Sequence, residues 1–300
     1  MAISTGTHWA GPLLGSEKAG GGLFDDVPVA QWSELRSRWK MRLEDFDEDM
    51  ASIAVANLIG WTETAVGAAA GRTMVVDKEN GFLNVNADAT ADEGTNAQMN
   101  GVTSQLTYTN TNHKSIGPLT STTTLMANRA LLFECRINFL QAVGTAWTNK
   151  LVIGWMTTDT AMMTAATGAL TLATGGGLFF HILPTGVINF VTQRTSTPAS
   201  VSTGLSVGTL STTYLAANWL TLGFKAVWSA DPTSATNNGY VDYYVNNTLR
   251  GRVVNQNPMT SGQTYSVSYE FINGAAAAPQ ADMAIDYILT GITRPGLVGA

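Results

Sequence analysis

Between Ala130 and Phe139 the chain reads A-L-L-F-E-C-R-I-N-F, and every second residue is large and apolar. Leu131, Phe133, Cys135, Ile137 and Phe139 share one side, while Glu134, Arg136 and Asn138 share the other. Successive side chains of an extended strand point to opposite faces, so this period of two predicts a strand with one face in a core. Asn218 to Trp228 repeats the pattern, with Leu220, Leu222, Phe224, Ala226 and Trp228 inward and Thr221 and Lys225 outward. Half-buried strands belong to antiparallel sheets, whose neighbours are joined by short turns. Two such turns are visible. Pro184-Thr185-Gly186 separates Leu178–Leu183 from Val187–Thr192, and Asn246-Asn247 separates Tyr240–Val245 from Thr248–Val254. Two asparagines tolerate positive φ and suit a type I′ hairpin. A last inward stripe is expected at Met283, Ile285, Tyr287 and Leu289. Ten or more strands of this kind predict an all-β, antiparallel jelly-roll sandwich over residues 51–300.

The first 50 residues read differently, holding nine of the 22 acidic residues and five of the 16 basic ones. Residues 1–27 lack helical or strand periodicity and carry isolated apolar groups among glycines, which predicts an extended arm. Such an arm folds poorly on itself and suits lying along another surface. His8, Trp9, Leu13, Leu14, Leu23 and Phe24 are its candidate subunit-contact residues. Across 28–50, Trp32, Leu35, Trp39 and Leu43 fall at helical spacing after Pro28, predicting a short helix. Ala161–Gly177 and Ser196–Thr213 are rich in Thr, Ser, Ala and Gly and are expected to form long loops or edge hairpins.

Charged residues make up only 13% of the chain, about half the usual share. A polar but uncharged exterior is poorly protected against association, so neighbours in an assembly are expected to cover much of it. The net charge of −6 comes without a basic stripe, which argues against direct nucleic-acid binding. The N-terminus has neither a basic nor an apolar signal region, and no apolar run is long enough for a membrane span, so manufacture in the cytoplasm is expected. The one cysteine, Cys135, excludes an intrachain disulfide and reads as a small buried thiol.

Motifs with chemical meaning are few. Gly204-Leu205-Ser206-Val207-Gly208 matches the G-x-S-x-G nucleophile elbow, but the next residues, Thr209-Leu210-Ser211-Thr212-Thr213, make no helix, and His8, His113 and His181 all precede the serine. Asp45-Phe46-Asp47-Glu48-Asp49 opens like a calcium loop, yet Met50 and Ala56 stand where that loop needs Gly and Glu; a solvated acidic turn is expected. No histidine has a partner at metal-ligand spacing, and His181, alternating with Phe180 and Ile182, is expected to face solvent or an interface. Neither Gly20–Gly22 nor Gly175–Gly177 is succeeded by the Lys-Ser/Thr pair of a phosphate loop. No cofactor and no metal site are expected.

Three segments nevertheless resemble the concanavalin A-like (laminin G-like, lectin/glucanase) jelly-roll superfamily. Trp219-Leu220-Thr221-Leu222-Gly223-Phe224 resembles its central strand, and Tyr243-Tyr244-Val245-Asn246-Asn247-Thr248-Leu249 its "y-v-n-G-x-l" hairpin, with Asn247 where Gly is usual. Ala284-Ile285-Asp286-Tyr287-Ile288 resembles its closing strand. The layout is also similar to tailed-bacteriophage structural proteins, in which such a sandwich follows an N-terminal arm. Glycanases of the superfamily carry an E-x-D-x-(x)-E strand, whose acids flank the glycosidic bond. Here Glu134 has Arg136 two residues on, Glu270 precedes Phe271-Ile272-Asn273, and Asp242 and Asp286 are single acids. A non-enzymatic virion protein is therefore expected, decorating or cementing a phage capsid through contacts with the major capsid protein or other virion proteins, as a homo-oligomer, with a trimer expected. The rival expectation is a carbohydrate- or receptor-binding module of a phage tail, with Trp61, Trp147, Trp155 and Tyr214 as candidate glycan-stacking residues.

Overall fold

The computed structural model describes residues 39–45, 61–66, 73–77, 82–86, 94–99, 106–107, 130–141, 147–157, 161–172, 176–193, 198–207, 218–228, 239–254, 264–274 and 281–293. Nearly all of them are strand, as the alternation predicts. One sheet, here called A, runs β14 (Thr248–Val254), β13 (Gly239–Val245), β12 (Leu220–Trp228), β7 (Ala130–Gln141), β16 (Ala281–Thr293), β4 (Phe82–Asn86) and β3 (Thr73–Asp77). β1 (Trp39–Asp45) also pairs with β16. Sheet B runs β11 (Ala199–Ser206), β10 (Val187–Gln193), β9 (Gly177–Ile182), β8 (Lys150–Thr157), β15 (Thr264–Ile272), β5 (Gly94–Met99) and β2 (Trp61–Val66), with β6 (Leu106–Thr107) beside β15. Every one of these pairings is antiparallel. The result is the jelly-roll sandwich expected from the strand count and turns.

The inward stripes of β7 and β12 meet between the sheets as predicted. Leu131, Phe133, Cys135, Ile137, Phe139, Leu222, Phe224, Ala226 and Trp228 all belong to one buried cluster. Its centre is aromatic: Phe133 stacks on Phe224 with ring centroids 5.3 Å apart, and Phe190 stacks on Tyr243 at 5.0 Å. Each such side chain contributes roughly 1.5–3 kcal/mol by leaving water.

Both predicted hairpins form. Gly186 takes φ 80° in the β9–β10 turn, where its amide donates to the Leu183 carbonyl at 2.8 Å. Asn246 and Asn247 take φ 50° and 61°, the paired left-handed residues of a type I′ turn. This turn is tied to β12, because the Thr221 amide donates to Asn246 Oδ1 at 2.9 Å. A β-carbon in the left-handed region costs about 1–2 kcal/mol, and asparagine bears that cost better than most residues. Asn247→Ala should therefore lower stability by about 1 kcal/mol in urea denaturation, while Asn247→Gly should match or exceed the parent. Equal losses in the two variants would contradict this account of the turn.

Two expectations are corrected by the register. The helix expected over 28–50 is contradicted for the part described there, because Trp39–Asp45 is strand β1, paired with Tyr287 to Thr293 of β16. The spacing was ambiguous: Trp39, Met41 and Leu43 also alternate with Lys40, Arg42 and Glu44, and sheet pairing selects period two. Residues 28–38 and 46–50, like the whole arm of 1–27, lie outside the described residues. The closing stripe is also not continuous. A β-bulge at Asp286 shifts the register of β16 on β7, and one extra residue exchanges the faces. Met283 and Ile285 point into the core, but beyond the bulge Ile288 does so, and Tyr287 turns outward to donate its hydroxyl to Glu134 at 2.8 Å.

Candidate functional site

Sheet B places its polar side chains on the face away from the core. There the sequence expected solvent or an interface at His181; instead the part of the face on β15, β8, β9 and β10 is closed over by residues 161–172. This segment doubles back on itself, with a bridge between Met163 and Leu170. The Thr164 amide donates to the Ala169 carbonyl and the Gly168 amide to the Thr164 carbonyl, each at 2.7 Å. Its apolar residues Met162, Met163 and Leu172 pack on Val152, Met156, Phe179, Val191 and Ile272, forming a second buried cluster outside the sandwich proper. The expected loop is thus present, but as a folded cover rather than a free contact surface.

Four polar side chains from four strands hold the cover. Glu270 of β15 is wholly buried and accepts the Met162 amide at 2.7 Å and the Met163 amide at 3.0 Å. Lys150 of β8, equally buried, donates Nζ to the Ala165 carbonyl. Gln193 of β10 donates Nε2 to the Leu172 carbonyl at 2.9 Å. His181 of β9 bonds the backbone of Gly168, and Nε2 has no partner. Burial pushes the imidazole down from 6.5 to about 4, so it is neutral near pH 7.

The other acids singled out in the sequence are also engaged internally. Asp286 accepts Arg136 Nη1 at 2.6 Å, and that guanidinium lies 4.8 Å over the Trp219 ring. Asp242 accepts Arg252 through two bonds of 2.5 and 2.7 Å, and Arg252 lies 3.9 Å over the Tyr240 ring. Among the described residues no three His, Cys, Asp or Glu side chains converge as a metal site. Nor, among them, is any helix long and apolar enough to cross a membrane. Ser206 of the G-x-S-x-G match is in an edge strand, where Gly204 with φ 75° forms a bulge rather than a strand-to-helix elbow. Cys135 is buried in the core, which holds its thiol well above the usual range.

Of the candidate glycan-stacking residues, Trp147 and Trp155 belong to the core instead. Trp147 packs edge-on against Phe139 and donates Nε1 to the Leu183 carbonyl at 2.8 Å. The side chains of Trp61 and Tyr214 lie outside the described residues, as do the arm candidates His8, Trp9, Leu13, Leu14, Leu23 and Phe24 and the acids Asp47 to Asp49. Sequence reasoning missed the cover altogether. Its signal was Met162-Met163 with Leu170 and Leu172, apolar residues embedded in a Thr/Ala/Gly stretch that lacks a strand period.

No protein-family model matches this chain, and no curated protein sequence is similar to it. Similar solved structures include a protein of unknown function from Shewanella oneidensis, 15% identical over 88% of this chain and 90% of its own, with a TM-score of 0.47. An endo-1,3-β-glucanase from Streptomyces sioyaensis is 14% identical over 86% of this chain and 98% of its own, with a TM-score of 0.48. The carbohydrate recognition domain of Emp46p is 8% identical over 82% of this chain and 94% of its own, with a TM-score of 0.44. At these identities and TM-scores the likenesses add nothing to the two antiparallel sheets already described.

Proposed function

We propose that this chain is a non-enzymatic structural protein of a virus particle, a capsid decoration or cement protein that acts through protein–protein contacts. One observation carries the reading: the polar face of sheet B across β15, β8, β9 and β10, where a jelly roll could assemble reacting or sugar-binding groups, is filled by the chain's own residues 161–172. Glu270, Lys150, Gln193 and His181 are all committed to holding that cover. Asp242 and Asp286 are each satisfied by an arginine. Acid catalysis on a glycosidic bond needs two carboxyl groups facing one substrate, and these acids face their own partners. With chemistry set aside, the low charge of the exterior suits a protein whose surface is shared with neighbours. The partners are the major capsid protein or other virion proteins, and further copies of the chain in a trimer. The product of a host cytoplasm, it ends in the virion.

The test is to add the purified full chain to undecorated particles and locate it by electron microscopy, with and without residues 1–27. Occupancy on the head that depends on the arm is the expected result. Binding on a glycan array together with no occupancy on particles would instead favour the carbohydrate- or receptor-binding module. Turnover of a polysaccharide would overturn the non-enzymatic reading.

A further inference from the structure

We propose that the outer face of β12, β13 and β14 is a docking surface for a second copy of this chain, and that the acidic segment 44–49 of that copy is what it receives. This names the self-contact within the assembly proposed above and rests on that reading.

The surface arises from the alternation. Phe224, Tyr243 and their inward neighbours fill the core, so Lys225, Tyr240, Tyr244 and Arg252 stand on the opposite face. Leu249 pairs with Tyr244 and completes the face, 49% exposed. It is one of three large apolar residues left exposed among the described ones, and Val254 on the same strand, at 57%, is another. Tyrosine, arginine and an exposed aliphatic on one rigid sheet make the composition enriched in protein interfaces. Arg252 is fixed in advance by its two bonds to Asp242 and by the Tyr240 ring, so little side-chain entropy is lost when a partner arrives.

Charge selects the occupant. Lys225 and Arg252 on this face, with the exposed Arg250 at the bulge of β14 beside them, give three cations against the single carboxylate of Asp242, on a chain whose net charge is −6. Glu44-Asp45-Phe46-Asp47-Glu48-Asp49 puts five carboxylates and one phenyl ring into six residues, which is the complement of that surface. Connectivity makes the contact intermolecular. β1 ends at Asp45 on the far side of β16, and β7, β12 and β13 stand between β16 and β14. For Leu249 and Arg252 on β14, five strand spacings from β1, the separation is roughly 24 Å, whereas the four residues from Asp45 to Asp49 reach at most about 14 Å, so the β14 part of the face is beyond reach within one chain. Backbone pairing along the open edge of β14 is disfavoured by the bulge between Tyr243 and Tyr244 and by two arginines, so side chains make the contact. Opposite surfaces meeting in this way form a head-to-tail contact, which closes into a ring when the rotation permits.

Sedimentation equilibrium of the full chain tests this. The parent should self-associate at low salt and weaken about tenfold or more at high salt, as rim charges do. Lys225→Glu with Arg250→Glu should abolish the association, as should Asp47→Lys with Asp49→Lys. Mixing those two variants should restore a one-to-one pair, since a reversed face then meets a reversed segment. Leu249→Cys mixed with Phe46→Cys should form a disulfide between copies, with the buried Cys135 silent. A parent that stays monomeric, reversed variants that associate undiminished, or a mixture no better than its components would each overturn the contact. A monomer that still coats particles would sink this inference and leave the proposed function standing.

Discussion

Replacing Glu270 by alanine is expected to lower the unfolding free energy by about 3–5 kcal/mol and to release residues 161–172 from sheet B. The carboxylate is wholly buried and accepts two backbone amides, those of Met162 and Met163. A hydrogen bond to a charged group contributes about 1.5–3 kcal/mol, and an amide left buried without an acceptor adds its own desolvation penalty. Glu270→Gln keeps one carbonyl oxygen in place, so about half of the loss is expected. Urea denaturation gives the magnitude, and hydrogen exchange at the Met162 and Met163 amides gives the place. If the alanine variant loses stability while both amides keep their protection, Glu270 acts elsewhere and does not hold the cover. The apolar part of the contact, Met162, Met163 and Leu172 on Phe179 and Val191, would persist as a weaker adhesion. The released state should therefore be a local opening and not global unfolding.

The same residues show what a sequence discloses about such a fold. Strands β7, β9, β10, β12, β13 and β14 were legible because one face of each meets a core while turn chemistry sets their ends. Phe133, Phe224 and the left-handed Asn246-Asn247 pair are where alternation and turn residues placed them. Alternation says which side of a sheet a residue takes, but not what else comes to lie over that side. His181 was correctly put opposite Phe180, and it is buried because a segment with no period of its own packs on it. Tyr287 defeats the pattern for another reason: the bulge at Asp286 inserts a residue into the pairing with β7, which alternation along β16 alone does not reveal. At β1, two periods fitted the same seven residues, and only the partner strand β16 distinguishes them. Local periodicity thus recovered the scaffold, whereas the cover and the docking face depend on contacts between residues far apart in the chain.

Between pH 6.5 and 4 the buried His181 and the half-buried Asp282 should pull stability in opposite directions, and removing either should expose the other. Folding lowers His181 from 6.5 to about 4, so in that window the unfolded chain binds more protons than the native one. Its contribution is complete above pH 6.5 and is lost as pH falls toward 4, about 3 kcal/mol in all. Asp282 behaves inversely. Desolvation raises it from 3.8 to about 6, and its Oδ1 has no partner. A raised carboxyl gives stability that is complete below pH 3.8 and lost as pH rises through 6, about 1–2 kcal/mol after discounting for its partial exposure. The parent should therefore lose only about 1–2 kcal/mol from these two sites as pH falls across the window. Asp282→Asn should steepen that loss to about 3 kcal/mol while raising stability at pH 7, because no charge is then forced into the site. His181→Gln should reverse the slope, making the protein more stable at pH 4 than at pH 6.5 relative to the parent. Denaturation midpoints of the three proteins across this range check both signs, since groups common to all cancel in the differences. Parallel curves would mean that neither residue titrates as its burial requires, and the cover over His181 would then have to be wet.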